Sequence, residues 1–335
     1  MIKKKGSGVF LSEIGILSAL LSVSRMIIKF EIAVGLLLVA SVIRLAASYE
    51  ELPAETFMAD LAKDHEAQER TEMVRQEVLN FVARKKAEDM AARGFFSHVD
   101  PDGYGPNFAA HQAGYALAFG SSPQSNSIES IGARHQNGLA AASAAKVVFD
   151  SWLESPGHRR HVLGEMDQFR NQTAYGIGYA FAAKGPFGWS SHYFVFVSAN
   201  LDEDARVNPF VEWKFETMSL AEMDHPEEDA DGDGRSFLWE YSLNSSPKIA
   251  DEERTFAFDF DSAQKQGVIS LALRENLDPA VDVIVETSNL TRGNLWSQND
   301  VTRSGNEFRA GMESDLLRIF RVRLEHSQFS RLPRR

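Results

Sequence analysis

Apolar positions in the first half of the chain recur mostly with a helical period. Over residues 71–90 they fall three or four residues apart among charged residues, which predicts an amphipathic helix that Gly94 ends. Residues 139–152 are rich in alanine and also predict a helix. A Ser-Pro pair at positions 155 and 156 is typical of the start of a further helix.

Two β-branched and aromatic runs follow these helices. They cover residues 175–181 and 192–198 and are separated by a Gly-Pro pair, which predicts two adjacent strands. Helices and strands therefore share one segment of roughly 150 residues, a common size for one domain. We expect a layered domain of mixed helix and sheet.

The pattern changes after Asn200. Residues 201–250 carry a dense block of acidic residues, which predicts an acidic linker. Short runs of strand type then cover residues 255–260, 267–273, 281–287 and 317–324. These runs predict a small all-β module, similar to a sandwich, over residues 251–326.

The first 48 residues have the composition of a targeting segment. Three lysines precede an apolar run, and a second run of about a dozen residues, 32–43, is followed by the small residues Ala46 and Ser48. A membrane span needs about 20 apolar residues, so a cleaved signal peptide is favoured and a retained membrane anchor is the alternative. We expect a secreted, periplasmic or cell-surface protein whose N-terminal segment contacts the membrane if it is retained.

Composition then excludes several classes of function. The chain has no cysteine among its 335 residues, which removes disulfide scaffolds, thiolate metal sites and thiol nucleophiles. Its formal net charge is -12, from 35 basic and 47 acidic residues. Such a charge disfavours nucleic acid as a partner, because affinity for nucleic acid rests on neutralising phosphates.

One motif within the acidic block predicts calcium binding. Asp229, Asp231 and Asp233 alternate before Gly234, and Glu240 follows at the twelfth position, as in an EF-hand-like calcium loop. Phe237 departs from the template, because its ninth position usually supplies an oxygen directly or through water. The competing interpretation is a solvated acidic linker without an ion.

Histidines and acids in the first half are the candidates for a second metal site. His98, Glu129 and His158 lie in separate segments next to turns, and spacing alone does not bring them together. Near the start of the helix at residue 156, the helix dipole disfavours a charged His158 imidazole. Glu154 and His161 flank that helix, and His158 with His161 forms a rival local pair.

Four motifs, in a fixed order along the chain, indicate a relationship between these segments that residue spacing alone cannot. They are the run from Lys86 through Phe95-Phe96-Ser97-His98 to Gly103, Ile128-Glu129-Ser130-Ile131-Gly132, Trp152-Leu153-Glu154-Ser155-Pro156-Gly157-His158, and Tyr175-Gly176-Ile177-Gly178-Tyr179. Over residues 70–200 the chain resembles the CAP superfamily (cysteine-rich secretory protein, antigen 5 and pathogenesis-related 1), in its bacterial secreted SCP-like branch. That resemblance implies an α-β-α sandwich with an open cleft, and hence an α+β chain.

The resemblance also implies a cleft with two histidines and two acids that can hold a divalent metal, typically zinc. His98 and His158 match the histidines and Glu129 matches one acid, while Glu154 is the candidate for the second acid. Ser130 stands where the family has an asparagine. If the site is catalytic, His98, Glu129 and His158 are the candidates.

Three functions remain open from the sequence. The first is a protein that binds an extracellular lipid, glycan or peptide without turnover. The second is a zinc-dependent extracellular hydrolase, with Glu129 as general base. The third is a surface or matrix protein whose domains serve as interaction units.

Overall fold

A computed structural model describes residues 50–117, 122–224, 229–250, 256–289, 297–298, 301–311, 318–330 and 332. The predicted signal peptide or anchor, residues 1–48, lies outside these ranges. Within them, no helix is long and apolar enough to cross a membrane.

A four-stranded sheet lies between helices in the first half of the chain. The helices are α1 (Pro53–Lys63), α2 (Glu77–Arg93), α3 (Pro106–Gln112), α4 (Ala141–Glu154), α5 (Pro156–Leu163) and α6 (Asp167–Arg170). The strands are β1 (Val74–Arg75), β2 (Glu129–His135), β3 (Ala174–Ala182) and β4 (Ser191–Ala199). The sheet order is β1-β3-β4-β2, with β1 parallel to β3 and the other pairs antiparallel.

Each face of this sheet packs against helix. On one face, α1 and α4 form an apolar core with the sheet, in which Met58, Trp152 and Phe194 are almost fully buried. On the other face lies α2. The expected α-β-α sandwich is therefore confirmed.

Two glycines allow α2 to approach the sheet closely. Gly176 and Gly178 alternate on β3, and a Cβ atom at either position would overlap the α2 backbone at Leu79 or Ala83. The Gly-Ile-Gly motif thus has a packing role, because only a residue without a side chain fits beneath the helix.

The helix predicted from residue 71 starts later than expected. Val74 and Arg75 pair in parallel with Ala174 and Tyr175 of β3, and the Gln76 side chain then accepts a hydrogen bond from the amide of Val78. Pairing with β3 overrides the local helical pattern here. The local pattern could not indicate this pairing, because the partner strand lies about 100 residues away in the sequence.

The second half contains short helices and two sheets. The helices are α7 (Pro209–Thr217), α8 (Leu220–Met223) and α9 (Phe237–Leu243), followed at the end of the last strand by α10 (Ser327–Ser330). The strands are β5 (Phe256–Asp261), β6 (Gln266–Leu271), β7 (Val281–Asn289), β8 (Val301–Ser304), β9 (Glu307–Gly311) and β10 (Arg318–His326). One sheet has the order β5-β6-β9-β8 and the other pairs β7 with β10.

The two C-terminal sheets share one apolar core, formed by Ile269, Leu271, Val283, Val285 and Phe308. This arrangement confirms the sandwich-like all-β module. The sequence did not indicate β8 and β9, which are short. The segment predicted as an acidic linker contains α7, α8 and α9, whose apolar residues form a second core that includes Phe210, Phe237 and Tyr241.

The C-terminal helices pack directly on the first domain. The rings of Phe81 on α2 and Phe215 on α7 meet edge to face with centroids 5.2 Å apart. The Gln76 amide group donates to the backbone carbonyls of Asp202, at 2.9 Å, and Ala205, at 3.1 Å. The link between the halves is therefore a packed interface.

Candidate metal-binding cleft and acidic loop

His98 and Glu129 form a hydrogen-bonded pair. His98 Nδ1 lies 2.8 Å from Glu129 Oε1, at the start of β2, and the Glu129 side chain is only 1% exposed. The Lys86 ammonium group of α2 donates to the backbone carbonyl of His98 at 3.0 Å and so helps to hold the loop. Because a carboxylate only accepts hydrogen bonds, Nδ1 carries the proton, and Nε2 is the nitrogen able to bind a metal.

His158 faces this pair from the first turn of α5. The two imidazole rings of His98 and His158 have centroids 6.3 Å apart. Burial lowers the pKa of His158, and the neighbouring His98 ring lowers it further. The neutral form expected from the sequence is the form that binds metal.

These three side chains line one cavity of about 240 Å³. Two imidazoles on one tetrahedral zinc, with bonds of about 2.1 Å, have ring centres roughly 5 Å apart. The observed rings are therefore only slightly too far apart to share an ion. The residues fit a zinc ion in kind, with two imidazoles and a carboxylate that orients one of them.

Glu154 lies outside this arrangement. It is the exposed last residue of α4 and is not among the residues that line the cavity. The structure thus brings together His98, Glu129 and His158 of the four predicted cleft ligands.

His161 is buried and already has partners on both ring nitrogens. Nδ1 lies 2.7 Å from the Ser130 hydroxyl, and Nε2 lies 2.9 Å from the Ser198 hydroxyl. Burial holds its pKa well below the usual value, and the nearby Arg70 charge acts in the same direction. The rival pair of His158 and His161 is therefore not arranged to share a metal, and Ser130 binds His161 rather than a cleft ligand.

Arg70 anchors the floor of the cleft, a role that the sequence did not indicate. Its guanidinium donates to the backbone carbonyls of His161 (2.6 Å), Val162 (2.8 Å) and Gln172 (2.9 Å). It also donates to the Ser198 hydroxyl at 3.1 Å. Burial lowers the pKa of Arg70 to about 10, so the group stays charged at neutral pH.

A second and larger cavity adjoins the first. It has a volume of about 430 Å³, and Glu129 lines both cavities. Its walls include Lys86 of α2 and the apolar side chains of Phe215, Met218 and Met223. The first domain supplies one wall and the C-terminal helices supply the other, which no local motif could indicate.

The acidic loop lies apart from the cleft. The carboxylate oxygens of Asp229, Asp231 and Asp233 lie within 4.8 Å of one another. In the described part of the chain, this is the only group of three or more His, Cys, Asp or Glu side chains whose donor atoms lie so close. At least one donor distance in the cleft therefore exceeds 4.8 Å.

Two glycine amides orient the first carboxylate of the loop. Asp229 accepts hydrogen bonds from the amides of Gly232 and Gly234, each at 2.8 Å. Both glycines have a positive φ, of 79° and 90°, which turns the chain around the carboxylates. The loop thus has the sharp turn that the calcium template requires.

Glu240 ends the loop from within α9. Its side chain is 2% exposed, and neither carboxylate oxygen has a hydrogen-bond partner among the described residues. Burial raises the pKa of Glu240 to about 7, and the charges of Asp233 and Asp231 act in the same direction, although the Arg235 charge opposes them. Phe237, at the ninth position of the template, is fully buried in the C-terminal core.

Comparisons with known proteins identify the first domain. The family model of the cysteine-rich secretory protein (CAP) family matches residues 66–198. A comparison with curated protein sequences finds no match.

Three solved structures are similar over part of the chain. An outer surface protein from Borrelia burgdorferi is 15% identical, with a TM-score of 0.29, over 45% of this chain and 98% of that chain. An extracellular protein with an SCP domain from Bacillus anthracis str. Ames is 19% identical, with a TM-score of 0.28, over 42% of this chain and 40% of that chain. The CAP domain of Enterococcal PrgA is 15% identical, with a TM-score of 0.28, over 46% of this chain and 64% of that chain. The family match coincides with the sandwich and with the segment that carries His98, Glu129 and His158, so residues 66–198 are a CAP domain of the cysteine-rich secretory protein family.

Proposed function

We propose that this chain is an extracellular binding protein whose CAP cleft takes up a lipid-like ligand without chemical turnover. The observation that carries the proposal is the position of Glu129, which lines both the histidine cavity and the larger apolar cavity. A ligand in the larger cavity would therefore lie beside the His98–Glu129 pair.

The larger cavity favours a lipid over a glycan or a peptide. Its wall includes Phe215, Met218 and Met223, which offer apolar surface to an acyl chain. Lys86 supplies an ammonium group, whose hydrogen bond in this structure is to the His98 carbonyl. An ammonium group has three donors, so it can also bind an anionic headgroup such as a carboxylate.

The small cavity lacks a free carboxylate to act as a base in hydrolysis. Among the described residues that line it, Glu129 is the only acid, and its carboxylate is hydrogen-bonded to His98. The Ser130 hydroxyl is within hydrogen-bond distance of His161, and Ser130 is 1% exposed. These contacts support binding over the alternative of a zinc hydrolase.

A divalent metal fits this proposal as a fixed element of the cleft. His98 and His158 would hold zinc through ring nitrogens, with Glu129 orienting His98. Bound zinc supplies a positive charge and a Lewis acid. The chain's own contribution is to favour the neutral form of His158 and to hold the His98 ring in place through Glu129.

Zinc titration by calorimetry tests the metal site. With calcium saturating, we expect one-site binding by the wild type and its loss in the double variant His98→Ala/His158→Ala. A hydrolysis assay with a peptide library runs beside it. Turnover by the wild type that disappears in the double variant would replace the binding proposal with the hydrolase.

Palmitate binding tests the ligand class. We expect saturable binding that weakens about tenfold in Lys86→Gln, because a charge-assisted hydrogen bond contributes roughly 1.5 kcal/mol or more. Lys146→Gln is the matched control, because Lys146 is exposed and paired with Asp150 on α4. No saturable palmitate binding would contradict the lipid assignment, and equal binding by the two variants would contradict the role of Lys86 in binding the headgroup.

Export is part of the proposal, and it rests on the signal-peptide pattern within residues 1–48. We expect a mature extracellular chain that begins at Tyr49. N-terminal sequencing of the protein recovered from the medium and from the cell fraction checks this, and an intact N-terminus in the membrane fraction would select the anchor. A protein that is exported but binds neither zinc nor palmitate would favour the surface or matrix role.

A further inference from the structure

The carboxylate of Glu240 is enclosed without a hydrogen-bond donor in the described part of the chain. Its side chain is 2% exposed, and both oxygens lack a partner there. The positive group paired with it is the Arg235 guanidinium, whose Nη1 lies 4.0 Å from Glu240 Oε1. A buried carboxylate is unfavourable unless a cation or hydrogen-bond donors compensate its charge. The Glu240 carboxylate is therefore a place where a bound cation would be stabilising.

Other acidic oxygens converge on the same place. Arg235 Nη1 also lies 3.5 Å from Asp233 Oδ2, so Asp233 and Glu240 both approach one guanidinium. The carboxylate oxygens of Asp233 and Asp231 lie within 4.8 Å of each other. Asp231 Oδ2 is itself buried and has no hydrogen-bond partner within the described ranges. Buried carboxylate oxygens without a hydrogen-bond partner in the described ranges thus come from two segments, Asp231 in the loop and Glu240 in α9.

The donor set selects the kind of ion. Every candidate side-chain ligand here is a carboxylate. Carboxylates suit hard cations such as calcium and magnesium better than they suit zinc or copper. Calcium accepts six to eight oxygens in irregular geometry, and a twelfth-position glutamate can bind it through both oxygens. Magnesium requires near-ideal octahedral geometry, which a bidentate glutamate does not suit.

We infer that residues 229–240 bind one calcium ion, which Asp229, Asp231, Asp233 and the buried Glu240 hold with the backbone carbonyl of Arg235. Phe237 supplies no ligand, because its side chain is committed to the C-terminal core, and water takes the ninth position. The Arg235 side chain occupies the approach to these carboxylates and moves aside when the ion enters.

The ion would fasten the helices that wall the larger cavity. Glu240 and Tyr241 are neighbours on α9, and the Tyr241 ring packs against Phe210 (centroids 5.3 Å apart) and Trp213 (5.6 Å apart) of α7. The next turn of α7 carries Phe215, which meets the CAP domain and lines the cavity. Calcium binding therefore stabilises the C-terminal wall of that cavity.

Calcium titration of the chain by calorimetry, with zinc absent, tests the site. We expect one ion per chain, with affinity at least tenfold lower in Glu240→Gln. The matched control is Glu203→Gln, which removes the same charge from an exposed position and should bind within twofold of the wild type. Equal affinity in the wild type and Glu240→Gln, or no stoichiometric binding, would overturn the inference.

Two further measurements keep the test independent of folding defects and of the cleft. Asp231→Asn retains the shape of the loop and should also lose at least tenfold in affinity, with an unchanged circular dichroism spectrum. The variant His98→Ala/His158→Ala should bind calcium like the wild type, so failure of the cleft proposal leaves this one standing. Calcium should also slow proteolysis within residues 201–250 in the wild type and not in Glu240→Gln; protection in both would contradict the role of Glu240.

Discussion

The cleft of the CAP domain and the acidic loop both gather ionisable side chains, but they differ in how their charges are satisfied. In the cleft, Glu129 is 1% exposed and has the His98 imidazole at 2.8 Å. In the loop, Glu240 is 2% exposed and neither of its oxygens has a hydrogen-bond partner among the residues that the structure describes. The two glutamates are therefore equally buried, but only Glu129 has a hydrogen-bond partner for its carboxylate among the described residues.

This difference separates a site whose buried carboxylate has a hydrogen-bond partner from one whose buried carboxylate has none among the described residues. In the cleft, a direct hydrogen bond joins His98 to Glu129, so this pair is held without an ion. In the loop, backbone amides donate to Asp229, Asp231 and Asp233, but no described group donates to the Glu240 carboxylate. The calcium ion proposed above would compensate that carboxylate. We expect metal removal to affect the loop strongly and the fold of the cleft only weakly.

The largest effect should come from removing the anchor of the cleft. Arg70→Met leaves the carbonyls of His161 and Gln172 without their guanidinium donor, and buried unsatisfied groups cost about 1–3 kcal/mol each. We expect the free energy of unfolding to fall by roughly 3 kcal/mol or more in urea titrations. Arg159→Met, which removes a partly exposed ion pair with Glu165, should change it by less than about 1 kcal/mol.

Local sequence signals predicted much of the fold. The Ser-Pro pair placed the start of α5 at Pro156, because the preference of proline for the first turn acts within a few residues. The strand pair β3–β4 was likewise found from runs of β-branched and aromatic residues, each about one residue short at its ends. The CAP resemblance then placed His98 beside Glu129, which spacing could not do.

Other features depend on contacts between distant parts of the chain. Arg70 receives its role from carbonyls 91 to 102 residues later, and nothing in its own segment indicates them. The helices α7 to α9 lie in an acidic stretch that favoured a solvated linker. Their apolar residues become a core only when Phe210, Phe237 and Tyr241 pack together.

A second, intermediate effect compares the two buried glutamates directly. In the presence of a chelator at pH 8, Glu240→Gln should raise the free energy of unfolding by about 1–2 kcal/mol, because it removes a buried charge that lacks hydrogen bonds. Glu129→Gln should lower it by a similar amount, because it weakens the charge-assisted hydrogen bond from His98. Urea titrations of both variants measure this, and a change of the same sign in both would remove the contrast between the sites.

The stability gained in Glu240→Gln should depend on pH, because the pKa of Glu240 is raised in the folded chain. Below pH 4.5 the carboxyl is protonated in both folded and unfolded chains and has no effect. Between pH 4.5 and about 7 only the unfolded chain loses the proton, so stability falls as the pH rises. The difference between Glu240→Gln and the wild type should therefore grow over this window, and a constant difference would show that burial does not perturb Glu240.

Titration of His161 should have a smaller effect on the free energy of unfolding, and this effect should lower stability as the pH falls rather than as it rises. Its pKa lies well below 6.5 in the folded chain, so below that pH only the unfolded chain takes up the proton and stability falls. The loss at about pH 5.5 relative to about pH 7.5 should be at most about 1.4 kcal/mol. Urea titrations at both values should show this loss in wild type and a reduced loss in His161→Gln; an unchanged loss in the variant would assign the titration to another group.

The smallest effect concerns Glu154, and it tests whether the cleft needs a second carboxylate to bind an ion. Glu154 is exposed at the end of α4 and does not line the cavity with His98 and His158. We expect Glu154→Gln to leave zinc affinity within twofold of the wild type, whereas Glu129→Gln should weaken it roughly 10- to 100-fold, as loss of a histidine's carboxylate partner does in other metal sites. Calorimetric titration of both variants compares them. A tenfold loss in Glu154→Gln would mean that the carboxylate moves to the ion when it binds, and the cleft would then resemble the acidic loop in requiring a cation to complete it.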